Sequence, residues 1–215
     1  VQVGIDHPDR DIYFSSKGHD VPGHYAVLYA LGIIPRERFI NLRRLGGTHG
    51  HPDLNVPGME ANTGSLGMGI SKAKGMAWAK DFKGHEGRVF VMTGDGELQE
   101  GQIWESLQAT AHQQINNVSV IVDGNKFQSD KFLDEIVSLG YLEAKFKAFG
   151  WYVECCDGHD FEAMAGVFER FKRITDKPKV LIADTIKGKG ISFMEGPAEL
   201  QNENFLYKWD AAAHD

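Results

Sequence analysis

The feature that most constrains this chain is a regular alternation, from residue 88 onward, of short apolar runs with helical stretches. Apolar runs at residues 88–93, 118–123 and 179–185 have the length of strands and contain many β-branched residues. Strands that are continuously apolar are typical of a parallel sheet covered by helices on both faces. The pattern therefore predicts an α/β fold with a doubly wound, mostly parallel sheet flanked by helices.

Helical stretches separate these predicted strands and also precede the first of them. A further extended segment is expected at residues 151–155. The predicted helices cover residues 23–31, 35–45, 65–82, 99–113, 136–149 and 161–175. Because no repeat or low-complexity linker interrupts the chain, we expect residues 1–215 to form a single domain. We expect its N-terminus to be incomplete, since the sequence begins at Val1 without Met.

Composition and charge narrow the class of protein. The net charge is −7 and the 23 Lys and Arg residues are scattered, which argues against a nucleic-acid-binding or membrane-surface protein. No run of about 18 apolar residues and no leader peptide are present, so neither a membrane span nor a signal peptide is predicted. Cys155 and Cys156 are adjacent and cannot staple the fold together, which favours a reducing, cytoplasmic location. The expected partners are small molecules or proteins.

The turn at residues 94–101 follows the first apolar run directly and carries the strongest chemical signal. Its glycines, Gly94 and Gly96, allow the backbone to turn sharply and to approach a ligand closely. The acid between them, Asp95, would repel a phosphate group directly, but it suits a divalent cation that bridges carboxylate and pyrophosphate. The alternative is that Asp95 only caps the helix that follows.

Such a cation needs further oxygen ligands, and Asn125 stands just beyond the second predicted strand. Open α/β sheets bind their ligands at the carboxyl ends of the strands, so we expect Asp95 and Asn125 to lie together there. The backbone carbonyl of Phe127 could supply a third oxygen. Asn116 and Asn117 precede their strand instead and are expected at the opposite edge of the sheet.

The turn at 94–101 together with Asn125 resembles the motif that binds thiamine diphosphate (ThDP). The sequence of the turn, GDGELQEG, is similar to that of transketolases in particular. Further transketolase-like segments are residues 16–19 (SKGH), 50–52 (GHP), 57–60 (PGME), 63–69 (TGSLGMG), 104–105 (WE) and 185–190 (TIKGKG). Together they extend over most of the chain. The sequence therefore resembles the N-terminal, pyrophosphate-binding subunit of a split transketolase.

The resemblance implies roles for particular residues. The side chains of Asp95 and Asn125 and the carbonyl of Phe127 would bind Mg²⁺ or Ca²⁺. His19 and His51 would be catalytic, because imidazoles near the reacting carbon can hydrogen-bond or shuttle protons. The remaining implied cofactor-binding residues are Gly64 and Leu66 against the aminopyrimidine, Gly94 and Gly96 at the diphosphate, Glu100, and Lys187 between two glycines. Glu100, with Glu105, would also lie at the subunit interface and link paired active sites.

The implied reaction is the transfer of a two-carbon ketol unit from a ketose or ketose phosphate to an aldose. In the family, the glutamate that activates ThDP lies in a separate pyrimidine-binding domain, which these residues do not contain. The resemblance therefore implies a C-terminal pyrimidine-binding partner subunit, in a heterotetramer with two of each chain. The alternatives are another ThDP carboligase or decarboxylase, similar to deoxyxylulose-phosphate synthase or a 2-oxo acid dehydrogenase component, or a non-catalytic scaffold subunit.

Two departures from the family pattern concern the ends of the sequence. Transketolases have a histidine-bearing helix before the segment at 16–19, and this sequence begins too late to include it. In the tail, Trp209 is followed by Asp210 where the family has a histidine. An acid beside a diphosphate is repelled, so we expect an altered donor or acceptor.

Overall fold

The computed structural model of the protein describes residues 4–128, 131–192 and 194–195. Within these ranges the strands are β1 Ile12–Ser15, β2 Val89–Gly94, β3 Val118–Gly124, β4 Tyr152–Asp157 and β5 Lys179–Asp184. They form one sheet in the order β1-β2-β3-β5-β4, and every neighbouring pair is parallel. The predicted α/β fold with a parallel sheet is confirmed.

The helices of the described ranges are α1 Val21–Ala30, α2 Arg36–Ile40, α3 Gly69–Lys83, α4 Gly101–His112, α5 Leu133–Ile136, α6 Leu142–Ala148 and α7 Phe161–Phe171. A short 3-10 helix, Gly96–Gln99, connects β2 to α4. No helix in this part of the chain is both long enough and apolar enough to cross a membrane.

Burial on both faces explains why the central strands are continuously apolar. In β3, Val120 belongs to the core cluster that includes residues of α3 and α4, whereas its neighbour Ile121 packs with residues of α7. Successive side chains of a strand point to opposite faces, so both must be apolar when both faces are covered. A smaller core unites α1 and α2 with the loop that contains Val56, and it supports the loops on either side of α1.

The structure corrects several predicted boundaries. Strand β1 was not predicted, because it is four residues long and pairs with β2 across more than seventy residues of chain. The helix expected at 65–82 begins only at Gly69, since Gly64 and Gly67 have φ values of +128° and +87° that end any helical run.

Two other predicted helices are shorter than expected. The stretch 35–45 is helical only through Ile40, and Arg43, with a φ of +60°, lies in the turn that follows. The stretch 136–149 is helical only in α6, because α5 ends at Ile136 and residues 137–141, which include Gly140 with a φ of +57°, are not helical. Left-handed backbone angles interrupt the helical hydrogen-bond pattern, so apolar spacing alone extended both helices too far.

The amino edge of the sheet is held by a buried lysine. Lys80 of α3 is 6% exposed, and its ammonium group donates hydrogen bonds to the carbonyls of Pro8 (2.6 Å), Arg10 (2.9 Å) and Glu86 (2.9 Å). It ties the segment before β1 to the loop before β2. Asn117 also lies at this edge, where its amide donates to Asp81 of α3 at 3.0 Å, far along the strands from Asn125.

Lys179, the first residue of β5, is a second buried lysine at this edge, and we expect it to make the stability of the fold depend on pH. Burial, and then the charge of Arg88, lowers the pKa of Lys179 to about 8. The unfolded chain holds this proton more tightly, so the charged amine opposes folding below pH 8, and the penalty fades as the pH rises towards 10.5. The pKa shift alone is worth roughly 3 kcal/mol, and Lys179→Met also removes the hydrogen bond to the carbonyl of Asn116, so we expect the free energy of unfolding to increase by about 2 kcal/mol at pH 7 and by little at pH 10.5.

Urea denaturation at the two pH values measures this difference. Lys83→Met, at an exposed position on α3, is the matched control and should change stability little at either pH. An equal gain for Lys179→Met at both pH values would contradict the prediction, because the gain would then come from the added apolar contact alone.

Candidate cofactor site

The sheet register brings the predicted metal ligands to neighbouring strand ends. Gly94, the last residue of β2, pairs with Asp123 of β3, so Asp95 and Asn125 follow adjacent strands at the carboxyl edge. The backbone N–H of Asp95 donates to the carbonyl of Asp123 at 3.2 Å and fixes the two chain ends relative to each other. The two side chains therefore emerge on the edge where open α/β sheets bind ligands.

Asp95 is 3% exposed, and main-chain groups surround its carboxylate. Oδ1 accepts from the N–H of Gly96 at 2.7 Å, and Oδ2 accepts from the N–H of Lys126 at 2.5 Å. Burial raises the pKa of Asp95, and the nearby charge of Asp123 adds to this, although the two N–H groups oppose it. An ionised carboxylate is therefore only partly compensated here, and a bound cation would stabilise it.

This geometry bears on two sequence predictions. Asp95 does cap the 3-10 helix Gly96–Gln99, so the capping role considered as an alternative is present alongside any role in metal binding. The N–H of Gly96, a residue expected at the diphosphate, donates to Asp95 Oδ1 at 2.7 Å. A Cβ atom at Gly96 would lie 2.9 Å from Cγ of Gln128, so a larger residue there would displace the Gln128 side chain.

Asn125 and Phe127 complete a set of oxygen donors. The amide oxygen of Asn125 accepts from the N–H of Phe127 at 2.9 Å, across Lys126, whose φ is +68°. An amide oxygen has two lone pairs, so a second remains for a cation. The Asp95 carboxylate, the Asn125 amide and the Phe127 carbonyl all offer hard oxygen ligands of the type that Mg²⁺ and Ca²⁺ prefer. The described residues contain no cluster of three or more His, Cys, Asp or Glu side chains that could hold a metal. The proposed ligands are not such a cluster, because they include an amide oxygen and a backbone carbonyl.

A partly buried ion pair that sequence analysis missed lies beside these donors. Lys17 Nζ is 2.5 Å from Asp123 Oδ2, and the hydroxyl of Thr185 donates to Asp123 Oδ1. Burial alone would raise the pKa of Asp123, but the charge of Lys17 and three hydrogen bonds outweigh it and lower that pKa. The side chain therefore joins the loop after β1 to the ends of β3 and β5.

Glu97 is a second residue that the sequence analysis passed over. It is 3% exposed and accepts hydrogen bonds from the N–H of Gly67 at 2.8 Å, from the N–H of Gly94 at 3.2 Å and from the hydroxyl of Ser16. One carboxylate thus holds three loops at the edge of the site. The signal available in the sequence was a second acid two residues after Asp95, in the turn that directly follows an apolar run.

His51, one of the two histidines predicted to be catalytic, packs closely against neighbouring backbone. A Cβ atom at Gly18 would lie 2.5 Å from Cα of Gly64, and a Cβ atom at Gly64 would lie 2.6 Å from Cδ2 of His51. The φ values of Gly18 and Gly64, +69° and +128°, also favour glycine. The imidazole of His51 therefore packs directly on the loop that contains Gly64, and the hydroxyl of Tyr25 donates to its carbonyl at 3.3 Å.

The second histidine, His19, follows Lys17 on the loop between β1 and α1. Its side chain keeps access to solvent. Desolvation, followed by the positive charge of Lys17, lowers the pKa of this imidazole below its usual range. The neutral ring predominates at neutral pH, so it can accept a proton or a hydrogen bond from a hydroxyl group.

The remaining predicted residues surround the same edge. Lys187 Nζ donates to the carbonyl of Gln128 at 2.8 Å and lies 6.0 Å from the ring of Phe127, so its loop reaches the proposed metal ligands. Leu66 is 40% exposed on the loop before α3. Glu100 and Glu105 are exposed at the beginning of α4, and Glu100 packs on Gly67. The predicted change at Asp210 lies outside the described residues.

A parallel sheet with oxygen donors and tight glycine turns at its carboxyl edge defines a cofactor-binding α/β protein. Residues 4–202 match the protein family described as "Transketolase, thiamine diphosphate binding domain". The chain belongs to this family of ThDP-binding transketolase domains, and its resemblance to N-terminal transketolase subunits is confirmed.

Individual relatives agree with this assignment. The chain is 38% identical to 6-deoxy-6-sulfo-D-fructose transketolase subunit SqwG of Clostridium sp. (strain MSTE9), over 95% of this chain and 76% of the relative. It is 40% identical to an apulose-4-phosphate transketolase subunit of Actinobacillus succinogenes, over 89% of this chain and 70% of the relative. Both relatives are named as transketolase subunits.

Solved structures show the same fold. The transketolase of Campylobacter jejuni superposes with a TM-score of 0.84 at 29% identity, over 89% of this chain. The transketolase of Leishmania mexicana gives 0.82 at 28% identity, over the same share of this chain. The chain spans 32% and 31% of the length of these two enzymes.

Proposed function

We propose that residues 1–215 form a single domain that binds the pyrophosphate and metal of ThDP in a two-subunit transketolase. The observation that carries the proposal is the meeting of Asp95, Asn125 and Phe127 at the carboxyl edge of β2 and β3. In this proposal the three residues hold Mg²⁺ or Ca²⁺. Subunit-named relatives at 38% and 40% identity support the two-chain arrangement.

The loops around this edge provide the rest of the cofactor site in our proposal. Gly94 and Gly96 let the backbone approach the diphosphate, while Lys187 supplies a positive charge from the loop after β5. Gly64 and Leu66 lie on the loop before α3 and would face the aminopyrimidine. When bound, ThDP supplies the electron sink for breaking and forming the carbon–carbon bond.

The chain's own contribution to the chemistry is orientation and proton handling. We propose that His19 and His51 contact the hydroxyl and carbonyl oxygens of the sugar near the reacting carbon. A neutral imidazole at His19, supported by the lowered pKa, can accept a hydroxyl proton and return it. Packing of His51 against Gly64 holds its ring in one position relative to the pyrimidine loop.

The proposed partner is a C-terminal, pyrimidine-binding subunit that provides the glutamate needed to activate ThDP, in a heterotetramer with two copies of each chain. The exposed Glu100 and Glu105 would lie at the interface between the chains. The proposed substrates are sugars or sugar phosphates, because the relatives are named for a sulfonated fructose and for apulose 4-phosphate. The change at Asp210 supports a donor or acceptor other than the ordinary pentose phosphates.

Co-purification with the pyrimidine-binding subunit tests the proposal. We expect ThDP-dependent ketol transfer by the two chains together and none by this chain alone, because the activating glutamate belongs to the partner. The assay should offer ketose donors with several aldose acceptors, and 2-oxo acids in a parallel set. Turnover of 2-oxo acids alone would indicate a decarboxylase or carboligase instead. Absence of any metal-dependent ThDP binding would indicate a scaffold subunit.

A further inference from the structure

Asp123 is the central residue of a hydrogen-bond network that no role assigned above explains. Its Oδ2 accepts from Lys17 Nζ at 2.5 Å and from the amide nitrogen of Asn125 at 2.9 Å. Its Oδ1 accepts from the hydroxyl of Thr185. The side chains of Lys17 and Asp123 are 13% and 20% exposed, so solvent screens their interaction only weakly.

The network determines which way the Asn125 amide points. An ionised carboxylate can only accept hydrogen bonds, so Asp123 draws the NH₂ group of Asn125 towards itself. The amide oxygen is thereby directed away, to the side where it meets the N–H of Phe127 at 2.9 Å. Without this carboxylate only the N–H of Phe127 would hold the amide in this orientation, and a turned amide would present its nitrogen, which cannot ligate a hard cation.

Lys17 determines which of two neighbouring acids is available to a cation. Asp95 directly follows Gly94, the residue of β2 that pairs with Asp123, and its N–H donates to the carbonyl of Asp123 at 3.2 Å, so the two acids are close neighbours. Among the described residues, Asp123 has an ion-pair partner and Asp95 has none. Because Lys17 neutralises Asp123, the carboxylate that remains to attract a divalent ion is that of Asp95.

We propose that Asp123 is a positioning residue for the cofactor's metal, acting through Asn125, and that Lys17 holds it in that role. The inference rests on the proposed function and deepens it. Thr185 extends the network to the loop that contains Lys187, so the loop after β1, the end of β3 and the loop after β5 are joined through one carboxylate.

The test is a calorimetric titration of Mg²⁺ into the two-subunit protein saturated with ThDP. We expect Asp123→Asn to weaken Mg²⁺ binding by roughly 10- to 100-fold, the usual effect of removing a partner that orients a metal ligand. The unfolding midpoint without metal is measured alongside, to separate loss of affinity from loss of stability.

Glu60→Gln is the matched control, because it breaks a different ion pair of similar burial. Arg10 and Glu60 are 2.8 Å apart, and their side chains are 23% and 16% exposed. It should lower the unfolding midpoint without changing Mg²⁺ affinity. Unchanged affinity in Asp123→Asn, or an equal loss in Glu60→Gln, overturns the inference. A wild-type protein that shows no Mg²⁺-dependent heat overturns the proposed function as well.

Discussion

Asp95→Ala is expected to abolish metal-dependent ThDP binding and, with it, all ketol transfer. The substitution removes the one charged ligand of the proposed set, and affinity for hard cations depends strongly on ligand charge. We expect Mg²⁺ affinity to fall at least ~100-fold, equivalent to about 2.8 kcal/mol. Titration calorimetry on the two-subunit protein, with ThDP present, measures it directly.

The matched control is Asp160→Ala, because Asp160 also caps a helix and has no part in the site. It accepts from the N–H groups of Glu162 and Ala163, both at 3.0 Å, at the start of α7. Loss of such a cap costs about 1 kcal/mol of stability and should leave cation affinity unchanged. If Asp95→Ala behaves in the same way as Asp160→Ala, then Asp95 is only a cap and the metal site is elsewhere.

Gly18→Ala is expected to produce the second large effect, through the backbone alone. The new methyl group would lie 2.5 Å from Cα of Gly64, so the two loops must separate. The left-handed φ of +69° adds a further cost for any residue with a Cβ atom. We expect the free energy of unfolding to fall by roughly 2–4 kcal/mol. Ketol transfer should fall roughly 100-fold, because His19 and His51 lose their relative positions.

Gly23→Ala provides the comparison, since a Cβ atom at that position in α1 meets nothing within 4 Å. Alanine is the better helix former, so this variant should be slightly more stable and fully active. Denaturant unfolding measures the stability of both variants, and steady-state assays measure their ketol transfer. Normal activity in Gly18→Ala would mean that the two loops can separate without disturbing the reaction, which contradicts the site described above.

The fold was predictable where burial dominates the sequence pattern. The apolar runs that became β2, β3 and β5 are covered on both faces, so their side chains report the sheet directly. Strand β1 has no such signature, because its assignment depends on pairing with Val89 and its neighbours far along the chain. The late start of α6 was not predicted, because the extended backbone at Val137 and the left-handed Gly140 break the helix while the apolar spacing continues.

In the site, strand ends were predictable and side-chain networks were not. The order of strands was enough to bring Asp95 and Asn125 to one edge and to send Asn117 to the other. The Lys17 and Asp123 pair joins residues 106 positions apart, and nothing in the local sequence of either residue announces the other. Such pairs follow from the packing of loops after the sheet has formed.

The three hydrogen bonds that Lys80 donates to backbone carbonyls have a consequence for redesign of this protein. That clamp, like Lys179, lies at the amino edge, whereas the loops that would meet cofactor and sugar leave from the carboxyl edge. Distant sites of this kind usually contribute to stability additively. Thermal tolerance and substrate range are therefore separate design variables: the framework can be strengthened first, and the loops diversified afterwards on a scaffold that tolerates losses.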